Sequence, residues 1–556
     1  SLVGSEMCIR DSDRTTRQYG SEEIYYFAQD TVHTATNRHD RLKTDCLNAE
    51  VNYEDNTVSR YTRENFSFAG TWKSGVSDIT GDNAIFQKIK NSQWELKNYF
   101  NQLYTKEKYT WGIRSYIRYT HCPASLTVAH RNLPILFADN MLIANCIYHR
   151  NELSSSDNIS ENTYRTVIGQ THESILAEYE EMNTGNAYTD NALYGMRKIN
   201  GVNYQLTGGF CGELSSVKQE NAYSAHSYSF YTVPRIEWER NDFLFTAATT
   251  VRWSHLPKQS YSRFCVSPFF CFRYKFTPRW KMSLLGSLDE SEGGLKDIYP
   301  FRYREDYRTV VKHTGKVPVT VRQLYTCYLE YKNTIKEFFW TLSASYSHNR
   351  YNLITERNYK DGNFYLSSVE RNHSSHSYTL NTIGSKGIYD WNLKTSLELT
   401  LARNEGKQLN EGIVQDYRYD YLCIEPKIVW APSVFFEAEY KATVSCVGGG
   451  IGEDTSLDPL WEVAQRLTLS LEFHDTEFRL SGEHFYNDLS KNQHLNIWLA
   501  DVSLIHKAGK WRFAASAINL FNKEQYRYTL YSAVQSYTSW IKLRPREFMV
   551  SVQYQW

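Results

Sequence analysis

The sequence predicts an all-β protein: a large antiparallel transmembrane β-barrel of roughly 20 to 22 strands. Three observations predict it. Segments in which apolar and polar residues alternate recur along the 556 residues. The connections between these segments alternate between short turns and long polar stretches, and the chain ends on a regular amphipathic segment. We therefore expect short periplasmic turns at one rim of the barrel and long extracellular loops at the other.

Composition agrees with this class. Aromatic residues make up 15% of the chain against only 12 prolines, which favours strands. No apolar run reaches about 18 residues, so helical membrane spans are excluded. The polar mean hydropathy of −0.57 is expected of a barrel, because its strands show only alternate residues to lipid. Lys plus Arg and Asp plus Glu both total 62, so no excess charge attracts nucleic acid.

Strand-like segments follow from about residue 20, although the turns before residue 225 are hard to place. The first strands are EIYYFAQDTVHTAT, CLNAEVNYEDN, TWGIRSYIRY and VNYQLTGGF. Later segments separate two faces: Val434, Phe436, Ala438 and Tyr440 alternate with Glu437, Glu439 and Lys441. Short turns are predicted at 276–280, 331–337, 385–390, 431–432, 474–477 and 507–510. Long polar connections are predicted near 255–265, 289–319, 349–376, 403–418, 448–458 and 522–545.

Several tryptophans fall near the ends of these segments, as residues of an interfacial girdle would. They are Trp111, Trp253, Trp280, Trp340, Trp391, Trp430, Trp511 and Trp556. At the C-terminus, Phe548, Val550, Val552, Tyr554 and Trp556 form one apolar face of the last strand. Either a protein core or a lipid bilayer could receive that face.

No motif indicates catalysis or a cofactor. The chain has no GxSxG, no HExxH and no phosphate-binding glycine loop, so we expect no enzyme activity. The 10 cysteines are scattered, and Cys265 and Cys271 are interpreted as small buried thiols. His373 and His376 have a metal-compatible spacing, but their Ser-rich surroundings favour a solvated turn. GGGIG at 448–452 is interpreted as a flexible loop.

The opening SLVGSEMCIRDS resembles a translated sequencing adapter. We therefore interpret residues 1–12 as an artefact and 13–556 as the barrel, and expect the gene to be cut at its 5′ end. The absence of a signal peptide then carries no weight.

NLFN at 519–522 and LRPREFMVSVQYQW at 543–556 resemble the last two strands of TonB-dependent outer-membrane receptors, particularly the Bacteroidetes type. The stretches YLCIEPKIVWAPSVFFEAEY (421–440) and IYPFRYREDYRTV (298–310) resemble strands and a loop of the same group. The resemblance implies import of a scarce nutrient, such as a metal chelate, an oligosaccharide or a peptide, across the cell outer membrane. It also implies an N-terminal plug and a TonB box, and neither is visible here.

The same resemblance implies partners. The TonB energy-coupling complex would act through the missing plug. The outer-membrane insertion machinery would recognise Phe548 to Trp556. The remaining partners are lipopolysaccharide of the membrane and an unknown small-molecule substrate. Tyr299, Arg302, Tyr303 and Arg304 are candidate ligand contacts, because aromatics with arginine bind sugars and anionic chelates. Packing against neighbouring loops is the alternative for these four. The alternative function is a plugless porin-like or structural outer-membrane barrel. A soluble all-β protein is disfavoured, because nothing in such a fold requires short turns at one end and long loops at the other.

Overall fold

A computed structural model describes residues 2–26, 31–81, 84–106, 109–131, 163–167, 174–219, 222–452, 455–489, 493–532 and 535–554. These residues form one sheet of 27 strands. The first nine are β1 Leu2–Tyr26, β2 Thr31–Asn56, β3 Arg60–Gly81, β4 Ala84–Lys106, β5 Tyr109–Arg131, β6 Thr163–Val167, β7 Ser174–Ile199, β8 Val202–Lys218 and β9 Ala222–Arg240. The next nine are β10 Phe243–Leu256, β11 Tyr261–Thr277, β12 Trp280–Glu292, β13 Tyr303–Arg304, β14 Thr309–Lys312, β15 Val319–Asn333, β16 Phe338–Lys360, β17 Asn363–Ile388 and β18 Leu393–Asn410.

The last nine are β19 Ile413–Ser433, β20 Phe436–Ile451, β21 Thr455–Phe473, β22 Thr476–Leu489, β23 Gln493–Ala508, β24 Trp511–Ile518, β25 Gln525–Ser532, β26 Gln535–Lys542 and β27 Glu547–Tyr554. A helix of one turn, α1, covers Leu295–Ile298, and single 3-10 turns lie at Pro257–Gln259 and Tyr389–Trp391. No helix among the described residues is long and apolar enough to cross a membrane.

The barrel wall is built from 22 antiparallel strands: β1–β5, β7–β12, β15–β23, one strand made of β24 and β25, and one made of β26 and β27. Each pairs with its neighbour along the chain, and the sheet closes where Tyr19–Tyr25 of β1 pairs with Gln535–Ile541 of β26. The predicted fold class and strand number are confirmed. We call one end of the barrel the turn rim, with connections at 57–59, 200–201, 241–242, 278–279, 334–337, 434–435, 474–475 and 509–510, and the opposite end the loop rim.

The wall separates an apolar outside from a polar lumen. On β19 the outward positions from the turn rim upward are Trp430, Ile428, Pro426, Ile424 and Leu422. Nine residues of tilted strand rise by about 20 to 25 Å, which matches the apolar band of a membrane barrel. The next outward residues are charged, so the band ends sharply on the side of the loop rim.

Tryptophans border this band at the turn rim, as predicted. Trp111, Trp391, Trp430 and Trp511 are each at least 44% exposed, and Trp280 packs edge-on against Trp340 with ring centres 5.9 Å apart. Trp253 lies near the other end of its strand, and Trp556 lies outside the described residues. The amphipathic indole ring suits the boundary between lipid and water.

Several predicted loops are strands instead. The stretches 349–376 and 403–418 are the upper parts of hairpins that end in the two-residue turns Asp361–Gly362 and Glu411–Gly412, where all four residues have positive φ. Gly448–Gly450 lie in β20, next to an irregularity in its pairing with β21, and not in a flexible loop. Residues 522–545 contain the hairpin of β25 and β26. The stretch 255–265 is mostly strand around a short turn at 257–260, so of the predicted long connections only 289–319 is, within the described residues, a long loop with little strand.

Asparagines of the NLFN segment join the lower and upper parts of the last hairpin. Asn519 has a φ of +53° and is 6% exposed. Its amide nitrogen donates to the carbonyls of Lys523 and Arg544, at 2.9 and 2.8 Å. Asn522, with a φ of +50°, accepts a hydrogen bond from the backbone N–H of Arg546. The motif therefore holds two strands together at the point where both bend.

Candidate functional site: the barrel mouth

The connection between β12 and β15 does not stay above its own hairpin. We call residues 293–318 the crossing loop; it contains α1, β13 and β14. Its two flanking strands are the eleventh and twelfth of the 22 in the wall, and its far end contacts β1 and β2. In a closed ring of 22 strands these lie on opposite sides, so the loop spans the mouth of the barrel.

The near half of the loop packs on β8, β9 and β10. Ile298, 1% exposed, clusters with Val317, Ala225 and Leu256. Tyr299 clusters with Tyr303, Val311 and Val217, and its hydroxyl donates to Gln219 Oε1 at 2.9 Å. These buried apolar groups give the loop a core of its own, which explains why a segment with little regular structure holds one course.

The far half reaches the opposite wall. Tyr307 is buried among Ile79, Ile85, Leu126 and Val128 of β3, β4 and β5. Arg308 pairs with Glu23 of β1, donates to the hydroxyl of Tyr25 at 3.0 Å and donates to Thr34 Oγ1 of β2 at 3.0 Å. The Arg308 and Glu23 side chains are 14% and 11% exposed. This pair is the charged anchor of the loop.

Local hydrogen bonds shape the segment around the anchor. Asp306 Oδ1 accepts from the backbone N–H groups of Arg308 and Thr309, both at 2.8 Å, and so closes a tight turn. After that turn, β14 pairs in parallel with Phe364–Ser367 of β17. The loop also contacts β7, where the backbone N–H of Arg304 donates to Glu180 Oε2 at 2.7 Å.

The four predicted ligand contacts all lie in the crossing loop. Tyr299 and Tyr303 are 2% and 9% exposed and serve the loop core. The guanidinium of Arg304 donates to the carbonyl of Tyr307 at 2.9 Å and to Asn363 Oδ1 at 3.2 Å. Arg302 is exposed and stands 5.1 Å from the ring centre of Tyr365. Their contact with a ligand stays a prediction, and all four already contact other residues of the barrel mouth.

Burial makes charge costly at the mouth. It raises the pKa of Tyr303 to about 12, with Glu305 and Asp297 acting in the same direction. Burial also raises the pKa of Tyr307 and lowers the pKa of Arg357, whose guanidinium lies 5.8 Å from the ring centre of Tyr25. Glu23 therefore matters because a guanidinium in this environment needs a partner charge.

Below the mouth, the lumen wall carries a network that the sequence analysis missed. Arg114 of β5 lies 3.3 Å from Asp190 of β7 and donates to the hydroxyl of Tyr231 of β9 at 3.2 Å. The Tyr231 hydroxyl donates to the other Asp190 oxygen at 2.6 Å. Strand alternation places these residues on the polar face, but only the sheet order brings the three strands together. The network is the kind of polar surface that a passing solute would meet.

Glycines let tyrosine rings lie flat on this wall. A Cβ built on Gly209 would lie 2.4 Å from the Tyr231 ring, and one on Gly112 would lie 2.7 Å from the ring of Tyr194. Each tyrosine covers the bare backbone of a neighbouring strand.

The histidine motif does not form a shared site. His373 and His376 lie in β17, where a spacing of three residues directs them to opposite faces. They are therefore strand residues and not part of a solvated turn. Cys265 is buried as predicted, and Cys271 is partly buried; both are free thiols. Across the described ranges, no three His, Cys, Asp or Glu side chains come together in a way that could hold a metal ion.

No protein-family model matches this sequence, and no curated protein does. Solved structures are similar to it at low identity. The ferric enterobactin receptor of Pseudomonas aeruginosa has 11% identity and a TM-score of 0.38, over 95% of this chain and 81% of that one. The copper transporter OprC has 8% identity and a TM-score of 0.40, over 95% and 80%. The outer membrane transporter YddB of Escherichia coli has 9% identity and a TM-score of 0.43, over 96% and 80%. The fold described above depends on this chain's own strand pairing.

Proposed function

We propose that this chain is the barrel of a TonB-dependent transporter of the cell outer membrane, which imports a scarce nutrient such as a metal chelate, an oligosaccharide or a peptide. The observation that carries the proposal is the crossing loop: a 22-strand barrel with an apolar belt has a mouth spanned by a packed, charge-anchored segment. A barrel of this size encloses a channel wide enough to need closing. A transporter must close it between substrates.

In this proposal the loop rim faces outward and captures the ligand. Arg302 and Phe301, both exposed on the crossing loop, are the first groups that a ligand would meet. Release of the Arg308 anchor would then open the way to the lumen wall at Arg114 and Asp190. The TonB complex would act through a plug encoded upstream, and the energy for transport would come from the periplasmic side.

A plugless porin-like or structural barrel is the second candidate. The polar lumen wall around Arg114, Asp190 and Tyr231 favours it, because a passive pore needs a wetted channel. A porin, however, conducts at rest, and a loop that spans the mouth with several buried apolar clusters and an ion pair opposes conduction.

We also propose that the outward face of β27 is the signal for the outer-membrane insertion machinery. Phe548 and Val550 are 76% and 80% exposed, and Val552 and Tyr554 continue the same face. Trp556, the predicted last residue of the signal, lies outside the described residues.

Conductance in planar bilayers tests the main proposal. The purified chain is reconstituted, and a variant in which residues 295–316 are replaced by a short Gly-Ser linker is measured beside it. A closed parent and a strongly conducting variant are expected. A parent that conducts as well as the variant would favour the porin. Transport itself is tested with the complete native gene, by uptake of labelled chelates, oligosaccharides and peptides in cells with and without TonB.

A further inference from the structure

Two histidines face each other on the outer wall of the barrel, in a place that transport through the lumen does not use. His348 of β16 and His376 of β17 are directly paired in the sheet. Strand alternation puts both on the outward face that carries Ala344 and Leu380, two rows of side chains above these apolar residues. Both imidazoles are partly exposed, so water and solutes reach them above the apolar belt.

The side-chain donor atoms of this pair converge. Nδ1 of His348 lies 3.2 Å from Nδ1 of His376, and the ring centres are 4.4 Å apart. The hydroxyl of Tyr346 lies 2.9 Å from the same Nδ1 of His376. Two imidazole nitrogens that bind one metal ion at about 2.0 to 2.1 Å are about 2.9 to 3.4 Å apart when the angle at the ion is about 90° to 109°. The distance between the two nitrogens therefore fits a single bound ion.

Hydrogen bonds within the protein do not satisfy all three of these atoms. Arg350 Nε donates to Nε2 of His348 at 3.1 Å, so the proton of the neutral His348 ring is on Nδ1 and points at His376. The single lone pair of His376 Nδ1 is then used, and none is left for the hydroxyl of Tyr346. A cation between the three groups would instead accept one lone pair from each of them. This mismatch is the observation that points to a ligand.

The charges around the pair are of both signs. Glu405 of β18 lies opposite His376 in the sheet and lines the same cleft of about 450 Å³. Arg418 lies opposite Glu405 in turn, and it is already paired with an aspartate. On the other side the neighbour is the neutral Gln323 of β15. The carboxylate of Glu405 therefore favours a bound cation, whereas Arg350, which contacts the pair directly, opposes it.

We propose that His348, His376 and Tyr346 bind one divalent transition-metal ion, Cu²⁺ more tightly than Zn²⁺. Imidazole nitrogen is a ligand that both ions favour, and affinity along this row of metals is highest for Cu²⁺. Binding through both Nδ1 atoms requires the His348 proton to move to Nε2. Arg350 must then turn away, which its exposed position allows. The site depends neither on the proposed transport nor on what the barrel imports.

The ion would join two strands where the upper part of their hairpin begins. Just above the histidines, the pairing of β16 with β17 is irregular between Tyr351 and Leu353. Asn352 at this irregularity holds the end of the crossing loop, because it accepts from the N–H of Val319 at 2.7 Å and donates to the carbonyl of Val317 at 2.9 Å. Hydrogen exchange of the amides beside the two histidines should slow about tenfold at a free Cu²⁺ concentration of about ten times its dissociation constant, since opening must release the ion. Exchange that bound Cu²⁺ leaves unchanged would overturn the link between the strands.

Calorimetric titration with Cu²⁺ and electron paramagnetic resonance test the site directly, on the purified full chain in detergent with no histidine tag and with accessible thiols alkylated. We expect the parent to bind one Cu²⁺ tightly, with a signal split by two nitrogen ligands. His348→Gln and His376→Gln should each weaken binding at least about tenfold, since loss of even an outer partner of a ligand costs about 10- to 100-fold. His506→Gln is the matched control, because it removes an exposed histidine that pairs with Thr476 instead of with a second histidine. It should bind Cu²⁺ like the parent.

Two further variants separate the site from any effect on folding. Arg350→Gln removes a positive charge and frees Nε2 of His348, so it should tighten Cu²⁺ binding about threefold or more, a gain that misfolding cannot produce. Tyr346→Phe should weaken binding, and unchanged binding there would overturn the three-donor site. Parent binding no tighter than that of His348→Gln/His376→Gln, or displacement of Cu²⁺ by excess Mg²⁺, would overturn the nitrogen ligands. These results are independent of conductance and uptake, so a failed transport assay leaves them intact.

Discussion

Arg308 and Glu23 are 285 residues apart in the sequence and form an ion pair across the mouth of the barrel. One belongs to a loop between the eleventh and twelfth wall strands, and the other to the first strand. The pair is largely buried, and the opening of the mouth therefore depends on what separates these two charges.

Arg308→Ala should release the crossing loop. Removing one member of a buried pair costs about 3 to 5 kcal/mol, because the remaining carboxylate stays uncompensated. We expect chymotrypsin, which cleaves after the aromatic residues of the loop, to cut it at least about tenfold faster, and conductance to rise. Arg302→Ala is the matched control, because Arg302 lies in the same loop and is exposed. Equal protection in Arg308→Ala and the parent would show that the apolar clusters alone hold the loop.

Alkaline pH should open the mouth. Burial raises the pKa of Tyr303 to about 12 in the closed loop, whereas an exposed tyrosine ionises near pH 10. Between these values the closed state holds more protons than the open one, so its stability falls as pH rises. For Tyr303 the loss is about 1.4 kcal/mol per pH unit.

Single-barrel conductance from pH 9 to 11.5 measures this opening. Tyr303→Phe, which cannot ionise, should keep the barrel closed to a higher pH than the parent. Burial also raises the pKa of Tyr307, and ionisation of Tyr307 should limit how far the opening pH of Tyr303→Phe rises. A variant that opens at the same pH as the parent would assign the transition to another group.

Gly209→Val should displace Tyr231 from the lumen wall. Its new side chain overlaps the tyrosine ring, and the hydrogen bond from Tyr231 to Asp190 would be lost. Such overpacking costs about 1 to 3 kcal/mol. Gly208→Val is the matched control, because Gly208 has nothing within 4 Å of its added Cβ. Urea unfolding followed by tryptophan fluorescence compares the two, and a larger loss in Gly208→Val would contradict this account.

Asn519→Ala should weaken the last hairpin. It removes hydrogen bonds to two backbone carbonyls and places alanine at a φ of +53°. The hydrogen bonds contribute about 1 kcal/mol each, and the conformation adds about 1 kcal/mol more. Asn519→Gly should avoid only the conformational cost of about 1 kcal/mol, because it also lacks the hydrogen bonds. The urea midpoint of unfolding should therefore be highest for the parent, lower for Asn519→Gly and lowest for Asn519→Ala. Equal midpoints for the two variants would show that the positive φ of residue 519 contributes nothing.

The sequence predicts the wall well, because alternation survives wherever one face meets lipid and the other the lumen. The pattern Trp430, Ile428, Ile424, Leu422 is visible on β19 without any structure. Above the apolar belt both faces of a strand are wet, so alternation disappears. The upper parts of β18 and β19, around Arg403 and Asp416, therefore look like loop in the sequence although they pair as strands.

The candidate site could be predicted only in part. The aromatic and basic composition around Tyr299 and Arg304 indicated a special loop, but not that its tyrosines form a core with Val217 of β8. That contact depends on how far the loop extends from β12 across the barrel mouth, and no local sequence pattern determines this distance. The same holds for Arg114, Asp190 and Tyr231, whose strands become neighbours only when the sheet is assembled.

The crossing loop also has a mechanical consequence. A wall one sheet thick, closed into a ring of 22 strands, resists stretching along its hydrogen bonds but deforms easily into an ellipse. A segment fixed to β12 and β15 at one end and to β1 and β2 at the other acts as a tie across one diameter. While Arg308 holds Glu23, that diameter is set and the rim keeps one shape. We therefore expect the opening of the mouth and the cross-section of the barrel to change together when the pair separates.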